Sequence, residues 1–299
     1  MKRMIFREMA CILALVCCLA APGFSQVKGK VVAEEKSDFQ KVTIFDTDNG
    51  YRWMIFDAKL DNTDAVQSEM DKANPTALTM AYSRHMLPSL ALVKNPKRIL
   101  VVGLGGGCLQ RYLYKLMPDL IIDTAELDPV VEKMAQKYFN FTEDNRQRVT
   151  IGDGRKFIEK SNEKYDVIML DAFSATSIPY LLSTKEFLIA CKNHLADGGV
   201  LASNLWYDQK DYHDMLKTYD AVFPEWHVIR STGSFNAILT AIPVKTDLTP
   251  ENWMTAAAAF DEKYKTGLGL AGLVDHGYEV NRMASDAKVL FDKDQPKGN

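Results

Sequence analysis

Several common ingredients are scarce in this sequence. Only five of its 299 residues are cysteine, and three of them, Cys11, Cys17 and Cys18, fall within the first eighteen positions. Cys108 and Cys191 remain, too few for a disulfide scaffold. They can pair in an oxidising compartment or lie apart as buried thiols, and the second arrangement is the expectation. An excess of one charge is also missing: 36 basic and 39 acidic residues leave a formal net charge of -3. A sequence-independent grip on nucleic acid phosphates has little support, so nucleic acid is excluded as a partner. The apolar run over residues 9–21 is shorter than the roughly 20 residues a spanning helix needs. Internal repeats and low-complexity tracts are lacking, and no metal site is read. What the chain does have is 47% hydrophobic residues, enough for a full core in one large or two modest domains.

The amino end differs from the rest. Lys2, Arg3 and Arg7 precede the apolar run, and Pro22, Gly23, Phe24 and Ser25 follow it. This is the order of a secretory signal, with Glu8 interrupting its basic part. The expectation is cleavage after Ser25 and an exported protein, periplasmic or secreted, without a membrane span. An uncleaved anchor and a buried core helix stay open. Cys17 and Cys18 do not follow a lipoprotein pattern.

The next residues read as short strands. Val42, Thr43, Ile44 and Phe45 meet a turn over 46–50, and Trp53 to Phe56 return as a hairpin. A helix is expected from Pro75, at its first turn, to about Pro88. "KRILVVGLGGGCLQRYL" then joins an aliphatic run, Ile99 to Val102, to Gly103, Gly105, Gly106 and Gly107 and to an amphipathic start through Leu109, Tyr112, Leu113 and Leu116. That pattern predicts a buried parallel strand, a glycine turn and a helix. Glycine lets backbone N–H groups approach a ligand, although such turns also serve plain packing.

Strands and helices alternate from there. Strands are expected near 120–124, 149–151, 165–170 and 199–202, helices over 130–138 and 187–194, and a final helix over 253–264 after a linker at 245–252. The fold class is α/β, a doubly wound Rossmann-like sheet preceded by a small β-rich region. The expected divisions are a signal peptide at 1–25, the β-hairpin region and helix at 26–90, a nucleoside-binding domain at 91–245 and a helical tail at 246–299.

In a doubly wound sheet the loops at the carboxyl ends of the strands gather into one crevice. Glu126, twenty-three positions past Gly103, suits the two hydroxyls of a ribose, against a solvated strand-end acid. Asp128 before Pro129 serves ligand contact or a helix cap. Asp153, between Gly152 and Gly154, is placed for the exocyclic amine of a purine, against turn chemistry. Asp171 follows the most hydrophobic strand and can take a proton from a nucleophile or hold a cation, against a helix cap.

"RILVVGLGGG", "AELDPVV", "VTIGDGRKFI" and "YDVIMLDAFSATSIPYLLSTKEF", with "EEKSDFQKVTIFDTDNGYRWMIFD" upstream, resemble the spermidine synthase family within the class I S-adenosylmethionine-dependent methyltransferase fold. The resemblance spans about 31–242. It implies that Gln40 and the loop Gly103, Gly105, Gly106 and Gly107 hold the amino-acid or aminopropyl end of S-adenosylmethionine or its decarboxylated form. It further implies Glu126 at the ribose, Asp128 and Gly154 nearby, Asp153 at the adenine and Asp171 as the catalytic base.

There are departures. The family's loop, GGGDGG, carries an acid where this chain has Gly106, and its DxxDP pattern places a second acid where this chain has Ser174. Tyr82 matches the tyrosine of a Y-H-E segment, with Ser83 and Arg84 following. Polyamines are flexible cations that need carboxylates along their channel. A loop of bare N–H groups favours a carboxylate, so methyl transfer from S-adenosylmethionine is expected over aminopropyl transfer, and putrescine is expected to be a poor acceptor. The acceptor, small molecule or protein, is not named by the sequence, and a homo-oligomer is compatible with it. A non-catalytic nucleoside-binding or fold-only module and an NAD-dependent oxidoreductase are the alternatives.

Overall fold

The computed structural model describes residues 27–57, 66–173, 177–280 and 282–296. The first 26 residues, which carry the signal expectation, and Ser174 lie outside them.

Four antiparallel strands come first: β1 (Gly29–Lys36), β2 (Lys41–Thr47), β3 (Tyr51–Phe56) and β4 (Val66–Asp71), paired in that order. The expected hairpin is β2–β3, with Val42 opposite Phe56 and Ile44 opposite Met54. Alternation gives this sheet two faces. Phe45, Trp53 and Ile55 form one, while Val42, Ile44, Met54 and Phe56 pack on the core.

The main sheet is built from β5 (Arg98–Val102), β6 (Ile121–Glu126), β7 (Gln147–Ile151), β8 (Tyr165–Leu170), β9 (Leu195–Trp206), β10 (Glu225–Arg230), β11 (Asn236–Ile242) and β12 (Tyr278–Glu279). Its order is β12-β10-β11-β9-β8-β5-β6-β7, with β7, β6, β5, β8 and β9 parallel and the remaining pairings antiparallel. Ile99 and Val101 face a core with α1 (Ala81–Ala91), α2 (Cys108–Leu116), α7 (Pro250–Tyr264) and α8 (Leu270–Gly277). Leu100 and Val102 face the opposite core with α4 (Gly154–Lys160), α5 (Lys185–Asn193) and α6 (Tyr212–Asp220). This explains why the strand reads as an unbroken aliphatic run. The N-terminal sheet packs over α3 (Pro129–Tyr138) through Val131, Met134 and Phe139.

Two expectations need correction. Pro75 does not start α1; it sits in a turn closed by Ala77 N–H on the Asn74 carbonyl, while the Thr79 hydroxyl, donating to the Glu69 carbonyl at 2.8 Å, ties residue 79 to β4. The helix begins after Met80 and runs through Pro88. An interior proline costs about 3 kcal/mol. Full burial of Met86, Leu87 and Leu90, at roughly 1.5–3 kcal/mol each, outweighs it. The helix ending at Tyr264 is also not the last, because α8 follows and leads into β12, which pairs with β10. Cys108 and Cys191 are both free thiols, as expected.

Candidate active site

The four strand-end loops converge. Gly103 has φ +101°, and a Cβ there would stand 2.3 Å from the Asp171 carbonyl oxygen, so the first glycine is required by the close passage of the β8 loop. A Cβ on Gly154 would stand 2.5 Å from a Val102 methyl group. The Gly152 N–H donates to the Glu126 carbonyl at 2.8 Å. The ends of the four strands thus lie against one another, while of the expected site residues Asp171 alone lines the cavity beside the glycine loop.

Most of the expected site residues also have structural partners. Glu126 is buried, and it accepts from the Leu104 N–H and the Asp128 N–H, each at 2.8 Å. Burial pushes its carboxyl pKa up, against the pull of those backbone donors and of Leu127. A carboxylate has about four acceptor sites. Glu126 therefore binds the glycine loop to the β6–α3 turn with one bond on each oxygen and keeps its remaining acceptor sites for a ligand hydroxyl. Asp128 caps α3 through the Val130 N–H at 2.9 Å, with Pro129 in the first turn. Its second oxygen accepts from Ser37 Oγ at 2.7 Å and Gln40 Nε2 at 3.3 Å, which brings Gln40 to the crevice from the β1–β2 turn. Asp153 is exposed and caps α4 through the Lys156 N–H at 2.9 Å.

The loop amides are less bare than expected. Leu104 N–H goes to Glu126, Gly106 N–H to Ser68 Oγ at 2.8 Å, and Gly107 N–H to the Leu104 carbonyl at 2.9 Å. A Cβ on Gly106 would lie 2.5 Å from the Phe139 ring, and one on Gly107 would lie 2.4 Å from the Phe141 ring. Ser68, a residue of β4 that sequence reasoning missed, thus seats the loop; nothing local marks it.

Beside the loop is a small cavity whose wall includes Ser68, Thr79, Tyr82, Ser83, Cys108 and Asp171. Asp171 accepts from Asn204 Nδ2 at 2.9 Å and from the Tyr82 hydroxyl. Asn204 in turn accepts from Asn236 Nδ2 at 2.8 Å, which fixes its orientation. Withdrawal from water pushes the Asp171 carboxyl up to about 7, with Asn204 and Tyr82 acting in the opposite sense. Burial, then the charge of Asp171, raises the Tyr82 hydroxyl well above its ordinary value. Glu69, also at the wall, turns its carboxylate to the Trp53 indole at 2.7 Å and its carbonyl to Thr79 and Cys108. Asn204 was missed by sequence reasoning, although a polar residue directly after "GVLAS" is a readable signal.

A mixed α/β sheet whose parallel strands end in a glycine turn, a buried glutamate and a cavity-lining aspartate of raised pKa defines a methyltransferase-like Rossmann fold with a site suited to transfer chemistry. Residues 80–233 match the spermine/spermidine synthase domain. The polyamine aminopropyltransferase of Vibrio vulnificus is 34% identical over 241 residues, covering 78% of this chain and 79% of that one. Among solved structures, human methyltransferase-like protein 13 in complex with SAH is 30% identical with a TM-score of 0.55, covering 71% of this chain and 98% of that one. A probable spermidine synthase from Corynebacterium glutamicum has a TM-score of 0.66 at 17% identity, with coverage of 86% and 98%, and speaks for the fold alone.

The chain belongs to the spermine/spermidine synthase family. It is a transferase enzyme of the S-adenosylmethionine-related class, and its co-substrate is S-adenosylmethionine or the decarboxylated form. This sets aside the oxidoreductase and the non-catalytic module. The expectation of export is corrected as well. The relatives include polyamine aminopropyltransferases and spermidine synthases, and none of them indicates export. Among the described residues no helix is long and apolar enough to cross a membrane.

Proposed function

We propose that the protein transfers an aminopropyl group from decarboxylated S-adenosylmethionine to an amine acceptor, with Asp171 as the catalytic base. The carrying observation is Asp171 itself, facing the cavity between Tyr82 and Asn204 with a pKa near 7. A primary amine reaches the site as an ammonium, with a pKa near that of lysine, about 10.4. It must lose a proton before it can attack. A carboxylate poised near neutrality accepts that proton more effectively than an ordinary one. The nitrogen lone pair then bonds to the propyl carbon next to sulfur, the carbon–sulfur bond breaks, and sulfur leaves as a neutral thioether. Tyr82 and Asn204 hold the carboxylate in place throughout.

The donor choice reverses the order expected from the sequence. Methyl transfer rested on loop amides free to receive the donor's carboxylate, and those of Leu104, Gly106 and Gly107 are already engaged. The Arg111 guanidinium is spent on the Phe139 and Pro75 carbonyls. The 34% identical aminopropyltransferase, matched over most of both chains, supports the same reading. Glu126 and Gln40 are proposed to contact the ribose and the aminopropyl arm, Asp128 to hold Gln40, and Asp153 with Gly154 to border the adenine. Methyl transfer is the second reading, favoured by Gly106 in place of the loop acid and by the likeness to the human methyltransferase-like protein. Mass spectrometry after incubation with an amine mixture and either sulfonium donor decides between them. Aminopropylated products from the decarboxylated donor are expected; methylated products alone establish the second reading.

A further inference from the structure

Beyond Asp171 the crevice changes character. Asn204 and Trp206 stand two apart on β9 and project to the same side. Asn204 reaches Asp171, and Trp206 reaches Phe173, with ring centroids 5.1 Å apart and planes at 30°. The hydrogen-bonded acid and the ring pair thus stand in succession along the carboxyl edge of β8 and β9, about 7 Å apart by strand rise. Neither ring belongs to the apolar cores, and both are half-buried. A second pair lies alongside: Tyr207 with Phe235 at 5.8 Å, Phe235 being exposed. The charge on that second pair is a cation, Arg230, stacked 4.2 Å from the Tyr207 centroid and paired with Glu279.

We infer that Phe173 and Trp206 receive the far end of the acceptor, and that the acceptor is a primary amine with an apolar or aryl tail rather than a diamine. This rests on the amine-transfer reading above. An acceptor nitrogen at Asp171 directs its carbon chain outward over the rings. A second ammonium laid on that ring pair would give up part of its water against ring faces, and a cation over a ring recovers less than that desolvation. A hydrocarbon tail gains from the same burial.

Calorimetric titration of the full chain with 2-phenylethylamine and with 1,4-diaminobutane reads both affinities whether or not transfer occurs. The phenyl amine is expected to bind at least tenfold more tightly. Trp206→Ala should bring the ratio of the two affinities to within about threefold of one, and Trp206→Phe should preserve it, which separates ring loss from misfolding. Equal or tighter binding of the diamine, no binding of either amine, or a ratio that survives Trp206→Ala overturns the inference. Titration with 5′-methylthioadenosine tests the donor site separately. Its failure beside intact amine selectivity removes the proposed transfer and leaves the tail site standing. Nucleoside binding beside diamine preference does the opposite.

Discussion

Gly106→Ala is expected to destabilise the protein through a single neighbour. The backbone at Gly106 is not left-handed, so an alanine meets no conformational penalty there. Its Cβ would stand 2.5 Å from Phe139 Cδ1, 2.9 Å from Cε1 and 3.0 Å from Cγ. Phe139 is fully buried among Leu104, Met134 and Phe141, and its carbonyl is bonded to Arg111, so the ring has little room to retreat. Overpacking of this kind costs about 1–3 kcal/mol. In a chain of this size that corresponds to a fall in Tm of roughly 2–10 °C. Phe139→Leu should relieve the contact, and the double variant should be less destabilised than the sum of the singles by at least about 1 kcal/mol in urea unfolding. Additivity within about 0.5 kcal/mol, or a neutral Gly106→Ala, refutes the reasoning. The same geometry governs donor choice. Gly106→Asp alone should unfold more readily than it should rebind a donor, whereas in the Phe139→Leu background the added carboxylate should shift preference further toward decarboxylated S-adenosylmethionine.

Transfer rate should rise with pH through about 7 as Asp171 ionises, and Asp171→Asn should lower kcat by roughly 10²–10⁴ and abolish that limb. The sign for stability is opposite: the folded state holds the Asp171 proton more tightly than the unfolded chain, so stability falls as pH rises from about 4 to about 7. Asp171→Asn should therefore gain in Tm relative to wild type at pH 8 more than at pH 4; no pH dependence of the difference counts against a raised carboxyl. Glu126→Ala leaves the Leu104 and Asp128 amides without their acceptor and should cost about 1–3 kcal/mol of stability besides weakening nucleoside binding, with Glu126→Gln milder. An unchanged denaturation midpoint would contradict its structural role. Arg155, next to Gly154, makes two 2.6 Å bonds to Asp292, which also accepts from Thr184 at 2.7 Å. Asp292→Ala should therefore speed proteolysis within 177–184, and unaltered cleavage would show that this tie does not hold the segment.

The sequence is most readable where contacts are local. The hairpin at β2–β3, the aliphatic strand before Gly103 and the Asp128–Pro129 helix start follow from alternation, burial and capping within a few residues. α1 was misplaced because both its boundaries are set at a distance, by Thr79 on the Glu69 carbonyl and by the burial of Met86, Leu87 and Leu90 against elements far along the chain. The β10–β11 hairpin was missed although "WHVIR" and "NAILTAI" are strand-like, since its place is fixed by pairing with β9 and β12. Asp171 was legible as a strand-end acid, but its raised pKa comes from burial by the tertiary fold, and its partners Tyr82 and Asn204, which pull the other way, stand at positions no spacing rule links to it.

The glycine loop shows the same limit within the site. Its glycines suggested backbone laid bare for a ligand, and one strand-to-helix turn can be glycine-rich for either of two reasons. Here the approaching groups are Asp171, Ser68, Phe139 and Phe141, all from this chain and none within thirty positions of the loop. The composition of the loop therefore records how tightly the N-terminal sheet, α3 and the β8 end close around it. The consequence is chemical. With Phe139 where it is, an acid cannot be restored at Gly106 by one exchange, so any ammonium on the donor must find its compensation in groups outside the loop. In the proposed transfer Asp171, at the wall of the cavity beside the loop, would supply it, so the loss of charge from the loop would make that carboxylate matter to both substrates.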